Sequence, residues 1–161
     1  MEFELVSSVS SAITDQELGE LLTQVYVDGG YTNPEEAITL FAPSSVRKRG
    51  VLIGAREKQK GILAGLIILV PSGSPARKLA QKNEAEIQLL GVKPAYQQQG
   101  LGRMLVEAAI ENARYCGYTK LILWTQSTMT VAQKIYSGLG FIQFDVFEKN
   151  GRTFKVYEKY L

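Results

Sequence analysis

Apolar residues recur along the chain at two spacings, and each spacing predicts one kind of secondary structure. Thr14 and Glu17 form a capping box at the start of the first helical stretch, where apolar residues stand three or four positions apart. Asn33 followed by Pro34 is typical of a second helix start, because proline suits the first helical position. Two further helices are predicted from the same spacing, over 100–117 and around 130–137.

Strands are predicted where apolar positions alternate or form short continuous runs. The pair Asn150-Gly151 lies between two alternating segments and is the strongest hairpin signal in the chain. A strand, a helix and a strand follow one another between 84 and 125, which predicts a parallel, right-handed crossover. The predicted strands are 3–8, 50–57, 60–71, 84–92, 119–125 and two within 141–161.

The order of these elements predicts an α/β (α+β) fold. We expect a mixed, mostly antiparallel sheet of about seven strands with about four helices packed on it. A chain of 161 residues buries enough surface for one core, and it shows neither an internal repeat nor a linker. A single domain over 1–161 is therefore expected.

Charge and composition exclude several classes of function. The 18 basic and 16 acidic residues leave a net charge of +2 without a long run of one sign, so no nucleic-acid partner is expected. The longest apolar run, 61–70, is half the roughly 20 residues that span a membrane, so no membrane partner is expected. The amino-terminal segment lacks the pattern of a secretory signal, which favours a cytoplasmic location.

The chain contains no histidine, which excludes nucleophilic systems that pair serine or cysteine with histidine. The lone cysteine, Cys116, is expected to have a packing role, and scattered carboxylates do not form a metal site. We therefore expect no metal cofactor. Acid-base chemistry falls to Glu, Asp, Tyr, Lys or Cys.

A glycine turn, Gly100-Leu101-Gly102, joins a strand to the helix predicted after it. The first N–H groups of that helix lack partners within the helix and can bind an anion. The turn does not match a dinucleotide-binding loop, because Leu105 stands where a third glycine or alanine is required. It does not match a P-loop either, because Arg103 and Met104 follow the last glycine.

The preceding strand is irregular, since its alternation breaks at Leu89, Leu90 and Gly91. A β-bulge explains this break. A bulge frees backbone N–H and C=O groups, with which an extended ligand carrying its own amides can pair. A ligand with an amide-bearing arm on the strand and a pyrophosphate at the helix start corresponds to coenzyme A.

The sequence resembles the GNAT superfamily of acetyl-CoA-dependent N-acetyltransferases. The family signature Arg/Gln-x-x-Gly-x-Gly/Ala is met by Gln97 to Gly102, and the element Ala-x-x-x-Tyr-x-x-x-Gly-Phe is met by Ala132, Tyr136, Gly140 and Phe141. The resemblance implies the family's fold, acetyl-CoA as co-substrate and an amine as acceptor. One departure is Met129, which stands where many members carry an asparagine.

The resemblance also assigns roles to individual residues. Glu86 matches the strand glutamate that many members use as general base, with Glu84 as the alternative, and Tyr136 matches the tyrosine that protonates the leaving thiolate. Backbone groups of the bulged strand polarise the thioester carbonyl and pair with pantetheine, and the turn holds the pyrophosphate. The residues expected to bind the cofactor are Leu90, Gly91, Val92, Gln97, Gln98, Gln99, Gly100, Leu101, Gly102 and Arg103.

Three functions remain open from the sequence. The first is an N-acetyltransferase that acts on a small-molecule amine, and the second is a protein acetyltransferase that acts on a lysine or an N-terminus. The third is a non-catalytic acyl-CoA sensor on the same fold. Charges in 28–49 suit either a cationic or a carboxylate-bearing acceptor, so they do not identify it. The resemblance also allows a homodimer through the last strands.

Overall fold

Seven strands pair into one sheet in the computed structural model, which describes residues 1–10 and 12–161. In chain order they are β1 Phe3–Ser7, β2 Val51–Glu57, β3 Leu63–Pro71, β4 Glu84–Val92, β5 Lys120–Gln126, β6 Ile142–Lys149 and β7 Arg152–Tyr160. Their order across the sheet is β1-β2-β3-β4-β5-β7-β6, and β4 and β5 pair in parallel while the other described pairs are antiparallel. The predicted mixed, mostly antiparallel sheet is confirmed.

Five α-helices accompany the sheet within the described residues, one more than the sequence predicts. The additional helix spans five residues, starts at Pro43 and has no side-chain cap, so it is too short to show a helical repeat. In the described chain, no helix has the length and apolar character needed to cross a membrane. The helices are α1 Asp15–Leu22, α2 Pro34–Leu40, α3 Pro43–Arg47, α4 Leu101–Tyr115 and α5 Thr130–Gly138.

The helix starts agree with the caps predicted from the sequence. Thr14 Oγ1 accepts a hydrogen bond from the Glu17 N–H at 3.1 Å, and Glu17 Oε2 accepts one from the Thr14 N–H at 2.9 Å. Asn33 Oδ1 accepts a hydrogen bond from the Glu36 N–H at 2.8 Å, ahead of Pro34. Both caps satisfy N–H groups that have no partner inside their helix.

The sheet separates two layers of apolar packing, because alternate residues of a strand face opposite sides. Ile67 and Leu69 of β3 belong to the same core cluster as Leu105 of α4. Ile68 and Val70 of β3 belong to the cluster that contains the buried leucines of α1. Burial on both faces explains why β3 is apolar at nearly every position.

A bulge in β4 opens the sheet at its centre. Gln88 pairs with Ile68 of β3 and Gly91 pairs with Leu66, so β4 contains one extra residue between these pairs. Leu89 takes a positive φ of 55° there. The parallel ladder between β4 and β5 ends at Ile87, beyond which the two strands are no longer paired. The predicted bulge and the predicted separation of the strands are confirmed.

Candidate acetyltransferase site

A cavity of ≈ 500 Å³ lies where β4 and β5 separate. Its volume falls in the range of roughly 300 to 1,000 Å³ that is typical of small-ligand pockets. Part of its wall comes from the end of β4, the end of β5, the turn that follows α1 and the helix α5. The residues that contribute there are Tyr26, Gln88, Leu89, Leu90, Trp124 and Tyr136.

Tyr136 places a free phenol at this cavity. The ring is only 4 % exposed and packs against Phe141 and Tyr157, with ring centroids 5.7 Å and 6.0 Å away. No described residue hydrogen-bonds the Tyr136 hydroxyl, and no fully buried side-chain polar atom among the described residues lacks a partner, so this hydroxyl is open to the cavity. Burial raises the pKa of Tyr136, which keeps the phenol protonated and able to donate.

Tyr26 is a cavity residue that the sequence analysis does not single out. α1 continues into a π-helical turn, Thr23–Val27, in which the Tyr26 side chain is buried. Its hydroxyl donates a hydrogen bond of 2.8 Å to the Leu90 carbonyl oxygen, and burial raises the pKa of this phenol. Tyr26 thus holds the backbone of the bulge where the strands part.

Glu86 lies under the cavity wall and does not line the cavity itself. Its carboxylate is 0 % exposed, and its Oε1 atom accepts hydrogen bonds from the N–H groups of Lys78, Leu79 and Ala80 at 2.9 to 3.0 Å. Its Oε2 atom accepts one hydrogen bond, from Gln88 Nε2 at 2.9 Å. The carboxylate therefore ties the 78–80 segment to β4.

The alternative base, Glu84, stands at the opposite end of β4 from the bulge. Its carboxylate is 3.4 Å from Lys120 Nζ, and Lys120 also pairs with Glu158 at 2.9 Å. Gln88, by contrast, lines the cavity and connects Glu86 to Arg49, whose guanidinium donates to Gln88 Oε1 at 3.2 Å. Of the two glutamates, Glu86 is the one within reach of the cavity through a neighbour.

The backbone from Leu90 to Val92 has an edge with no strand partner on the β5 side. Gly91 and Val92 pair with β3 on the other side, at Leu66 and Gly65. An edge without a strand partner can pair with an extended ligand that carries its own amides. The Val92 carbonyl oxygen already accepts a hydrogen bond of 3.1 Å from Gln97 Nε2, so Gln97 links the turn to the strand.

The turn before α4 presents backbone donors to solvent. Gln98 and Gly100 take positive φ values of 62° and 81°, and α4 begins at Leu101. The N–H groups of Leu101, Gly102 and Arg103 have no acceptor within the described residues. Such donors at a helix start suit a phosphate. The Arg103 side chain, paired with Glu107 at 2.8 Å and 59 % exposed, adds positive charge nearby.

The two glycines of the turn differ in what a side chain would meet. Gly100 adopts a left-handed conformation with open space around it, so its backbone angle is what excludes a side chain. Gly102 has an ordinary angle, and a Cβ atom there would lie 2.7 Å from Ile135 Cδ1 of α5. That Cδ1 atom is the end of a flexible side chain that can move aside, so Gly100 is the more strictly required of the two glycines.

The change Gly100→Ala should destabilise the turn by about 1 to 2 kcal/mol, the cost of placing a side chain in the left-handed region. It should also raise the KM for acetyl-CoA, because the donors at the start of α4 shift. Urea unfolding and steady-state kinetics measure the two effects. The matched change Gly19→Ala in α1, where the angle is ordinary and the space open, should instead stabilise the protein by about 0.5 to 1 kcal/mol. Equal changes in the free energy of unfolding for Gly100→Ala and Gly19→Ala would contradict the requirement for a left-handed glycine at position 100.

Two charges from the 28–49 region reach the cavity. They are Arg49 and Glu36. Met129, at the position where an asparagine is common, also lines the cavity and adds an apolar surface. The other charged candidates of that region lie outside the described lining, namely Asp28, Glu35, Arg47 and Lys48.

The family comparison agrees with this fold and site. The sequence model of the acetyltransferase (GNAT) family matches residues 16–141, which is most of the chain. The chain belongs to the GNAT acetyltransferase family. The structural observations that fit this membership are the bulged β4, its separation from β5 and the glycine turn before α4.

A curated relative illustrates the membership. The chain is 27% identical over 100 residues to N-acetyltransferase family 8 member 3 of Mus musculus, an alignment that covers 62% of this chain and 40% of that protein. The chain thus spans less than half the length of the curated relatives it matches first.

Solved structures share the fold over nearly the whole chain. A GNAT-family acetyltransferase of Staphylococcus aureus superposes with a TM-score of 0.76 at 15% identity, covering 99% of each chain. An acetyltransferase of Bacillus subtilis in complex with CoA superposes with a TM-score of 0.68 at 21% identity, covering 99% of this chain and 98% of that one. At these identities the likeness concerns the fold.

Proposed function

We propose that the protein is an N-acetyltransferase that moves the acetyl group of acetyl-CoA directly to a primary amine of a small molecule. The observation that carries this proposal is the position of the unpaired, protonated Tyr136 phenol at the same cavity as Leu90, where the open β4 edge begins. The CoA complex of the Bacillus subtilis relative supports the choice of co-substrate.

Acetyl-CoA supplies an activated acetyl thioester when it is bound. The unpaired N–H groups at the start of α4 hold its pyrophosphate, and the free edge at 90–92 orients its amide-bearing arm. Tyr136 donates its proton toward the departing sulfur, which then leaves as a neutral thiol. Holding the amine in line with the acetyl carbon provides the remaining acceleration.

Deprotonation of the acceptor is the second requirement. An alkylamine with a pKa near 10.4 is mostly protonated at neutral pH, so a base must take a proton before or during attack. Glu86 is the base that we propose, acting through a water molecule because its carboxylate does not line the cavity. Its Oε2 atom accepts a single described hydrogen bond, whereas Oε1 accepts three N–H groups.

A thiol-release assay tests this function directly. The protein and acetyl-CoA are incubated with a panel of amines, polyamines, amino acids and short peptides, and free CoA thiol is measured. Turnover of small amines supports the proposal, and turnover of peptides alone favours a protein acetyltransferase. Tight CoA binding without turnover of any acceptor favours a sensor.

Several expectations from the sequence stay predictions. They are a single domain over 1–161, a cytoplasmic location and a homodimer. Limited proteolysis tests whether 1–161 forms a single domain, and sedimentation tests whether the protein is a homodimer.

A further inference from the structure

The cavity and the glycine turn face different parts of the molecule. None of the residues from 91 to 103 belongs to the described lining of the cavity. The phosphate-binding turn and the cavity are therefore separate regions that meet at the bulge of β4. If acetyl-CoA occupies the turn and the open strand edge, its thioester reaches the cavity beside Leu90 and Tyr136, and the rest of the cavity remains for the acceptor.

The cavity wall is strongly cationic. In the described lining, four side chains carry a positive charge and one, Glu36, carries a negative charge. None of the four cations has a carboxylate within ion-pair distance among the described residues, although seven such contacts occur elsewhere in the chain. The four unpaired cations are Arg49, Lys78, Lys149 and Arg152.

Arg49 is the most informative of these cations because it is partly buried. Its guanidinium donates to the Leu40 carbonyl oxygen at 2.7 Å and to Gln88 Oε1 at 3.2 Å, both neutral acceptors. These two bonds leave three of its five N–H donors without a described partner. Burial lowers the pKa of Arg49, whereas Arg56, which is paired with Glu17 at 2.6 Å, has a raised pKa.

A partly buried guanidinium without a counter-charge is costly unless a ligand supplies the charge. A carboxylate is the planar anion that matches the fork of an arginine. The fixed neutral partners of Arg49 hold the guanidinium in place at the wall, so its free donors are already oriented.

Much of the rest of the wall is apolar and aromatic, although polar side chains such as Asn33, Thr125 and Gln126 also line it. Tyr26 and Phe41 pack with their ring centroids 5.3 Å apart, and Phe147 and Phe154 stack at 5.1 Å. All four rings line the cavity, together with Trp124. Such a wall suits an aliphatic or aromatic body rather than a polyamine or a sugar.

The geometry points to an acceptor that carries a carboxylate and an apolar body next to its amine, with Arg49 binding the carboxylate. This inference rests on the proposed acetyltransferase function and specifies its substrate class. Hydrophobic α-amino acids and their derivatives have this chemistry, whereas cationic polyamines do not, because the four unpaired cations would repel them.

The test compares two pairs of acceptors that differ in the carboxylate: L-phenylalanine with 2-phenylethylamine, and L-leucine with 3-methylbutylamine. Thiol release is measured with acetyl-CoA for the wild type and for Arg49→Met. We expect Arg49→Met to lower kcat/KM for an acid about 10- to 100-fold more than for its amine, the fold-change of one lost charge-assisted contact. Comparing the two losses cancels the difference in intrinsic amine reactivity.

Arg47→Met is the matched control. Arg47 lies two residues away, outside the described lining, and pairs with Asp15 at 2.8 Å. It should leave the acid-to-amine ratio as in the wild type. Equal losses for acid and amine in Arg49→Met would show that Arg49 has only a structural role and would overturn the inference, while the acetyltransferase function would stand.

A binding measurement separates this inference from the proposed function. Trp124 is the single tryptophan of the chain and lines the cavity, so its fluorescence reports occupancy without turnover. If no acceptor releases thiol, the proposed function fails. Tighter binding of the acids than of the amines, lost in Arg49→Met, would still support a carboxylate site. Binding of neither acid more tightly than its amine overturns the inference.

Discussion

The change Tyr136→Phe should lower kcat about 100- to 10,000-fold, the usual contribution of a positioned general acid. The KM for acetyl-CoA should change little, because the aromatic ring and its packing against Phe141 and Tyr157 remain. The hydroxyl has no described partner, so its removal should alter the free energy of unfolding by less than about 1 kcal/mol. Steady-state kinetics and urea unfolding measure the two quantities.

Tyr157→Phe is the matched control for this prediction. Tyr157 is equally buried and lies in contact with Tyr136, but it does not line the cavity. Its change should leave kcat close to that of the wild type. Comparable kcat values for the Tyr136 and Tyr157 variants would remove Tyr136 from the proposed mechanism.

The raised pKa of Tyr136 also predicts that its ionisation does not produce an alkaline limb in the pH profile below about pH 10.

The change Glu86→Ala should destabilise the protein by about 3 kcal/mol or more, because a buried donor without an acceptor costs about 1 to 3 kcal/mol. Three backbone N–H groups and the Gln88 amide lose their acceptor together. Lys78 and Leu79 line the cavity, so the wall should shift as well. Urea unfolding measures the loss of stability.

Glu84→Ala is the matched control on the same strand. Glu84 Oε1 accepts one hydrogen bond, from the exposed Gln81 N–H, which water can replace, and Lys120 keeps its second partner, Glu158, when Glu84 is removed. The expected loss is below about 1 kcal/mol. A loss as large as that of Glu86→Ala would contradict the anchoring role assigned to Glu86.

Glu86→Gln separates anchoring from catalysis. The amide oxygen of glutamine can accept the three N–H groups, so the fold should survive, although the new NH2 group faces the Gln88 Nε2 donor and that one bond is lost. Glutamine cannot take a proton at neutral pH. If Glu86 is the general base, kcat falls about 100- to 10,000-fold in a folded protein. A kcat within tenfold of the wild type would show that Glu86 holds the wall and that deprotonation occurs by another route.

The hydrogen bonds of Glu86 give it an anchoring role that the sequence pattern does not predict. Alternation along β4 places Glu86 and Gln88 on one face, and the structure bears this out through their mutual hydrogen bond. The three N–H donors come from a loop, 78–80, that has no regular pattern. Contacts between a strand and an irregular loop depend on the path of the chain in space, so local periodicity does not predict them.

The charged residues on the acceptor side of the site are likewise not predictable from local sequence patterns. Arg49 and Arg152 are 103 positions apart, and both reach the cavity because the segment that follows α3 and the last hairpin meet at the gap between β4 and β5. In the sequence, Arg49 is indistinguishable from its neighbours Arg47 and Lys48. Packing turns one of these three side chains toward the cavity.

Apart from α3 and the π-helical turn after α1, the sequence by itself determined the elements and the position of the break in the sheet. Capping boxes, glycine turns and alternation are local, so the helix starts, the hairpin at Asn150-Gly151 and the bulge after Gln88 were predictable from neighbouring residues. Only the tertiary structure decided that Glu86 is buried beneath a loop, that Tyr26 fastens the bulge and that Arg49 lacks a counter-charge. These properties arise from partners distant in the chain, and burial and pairing are set when those partners meet.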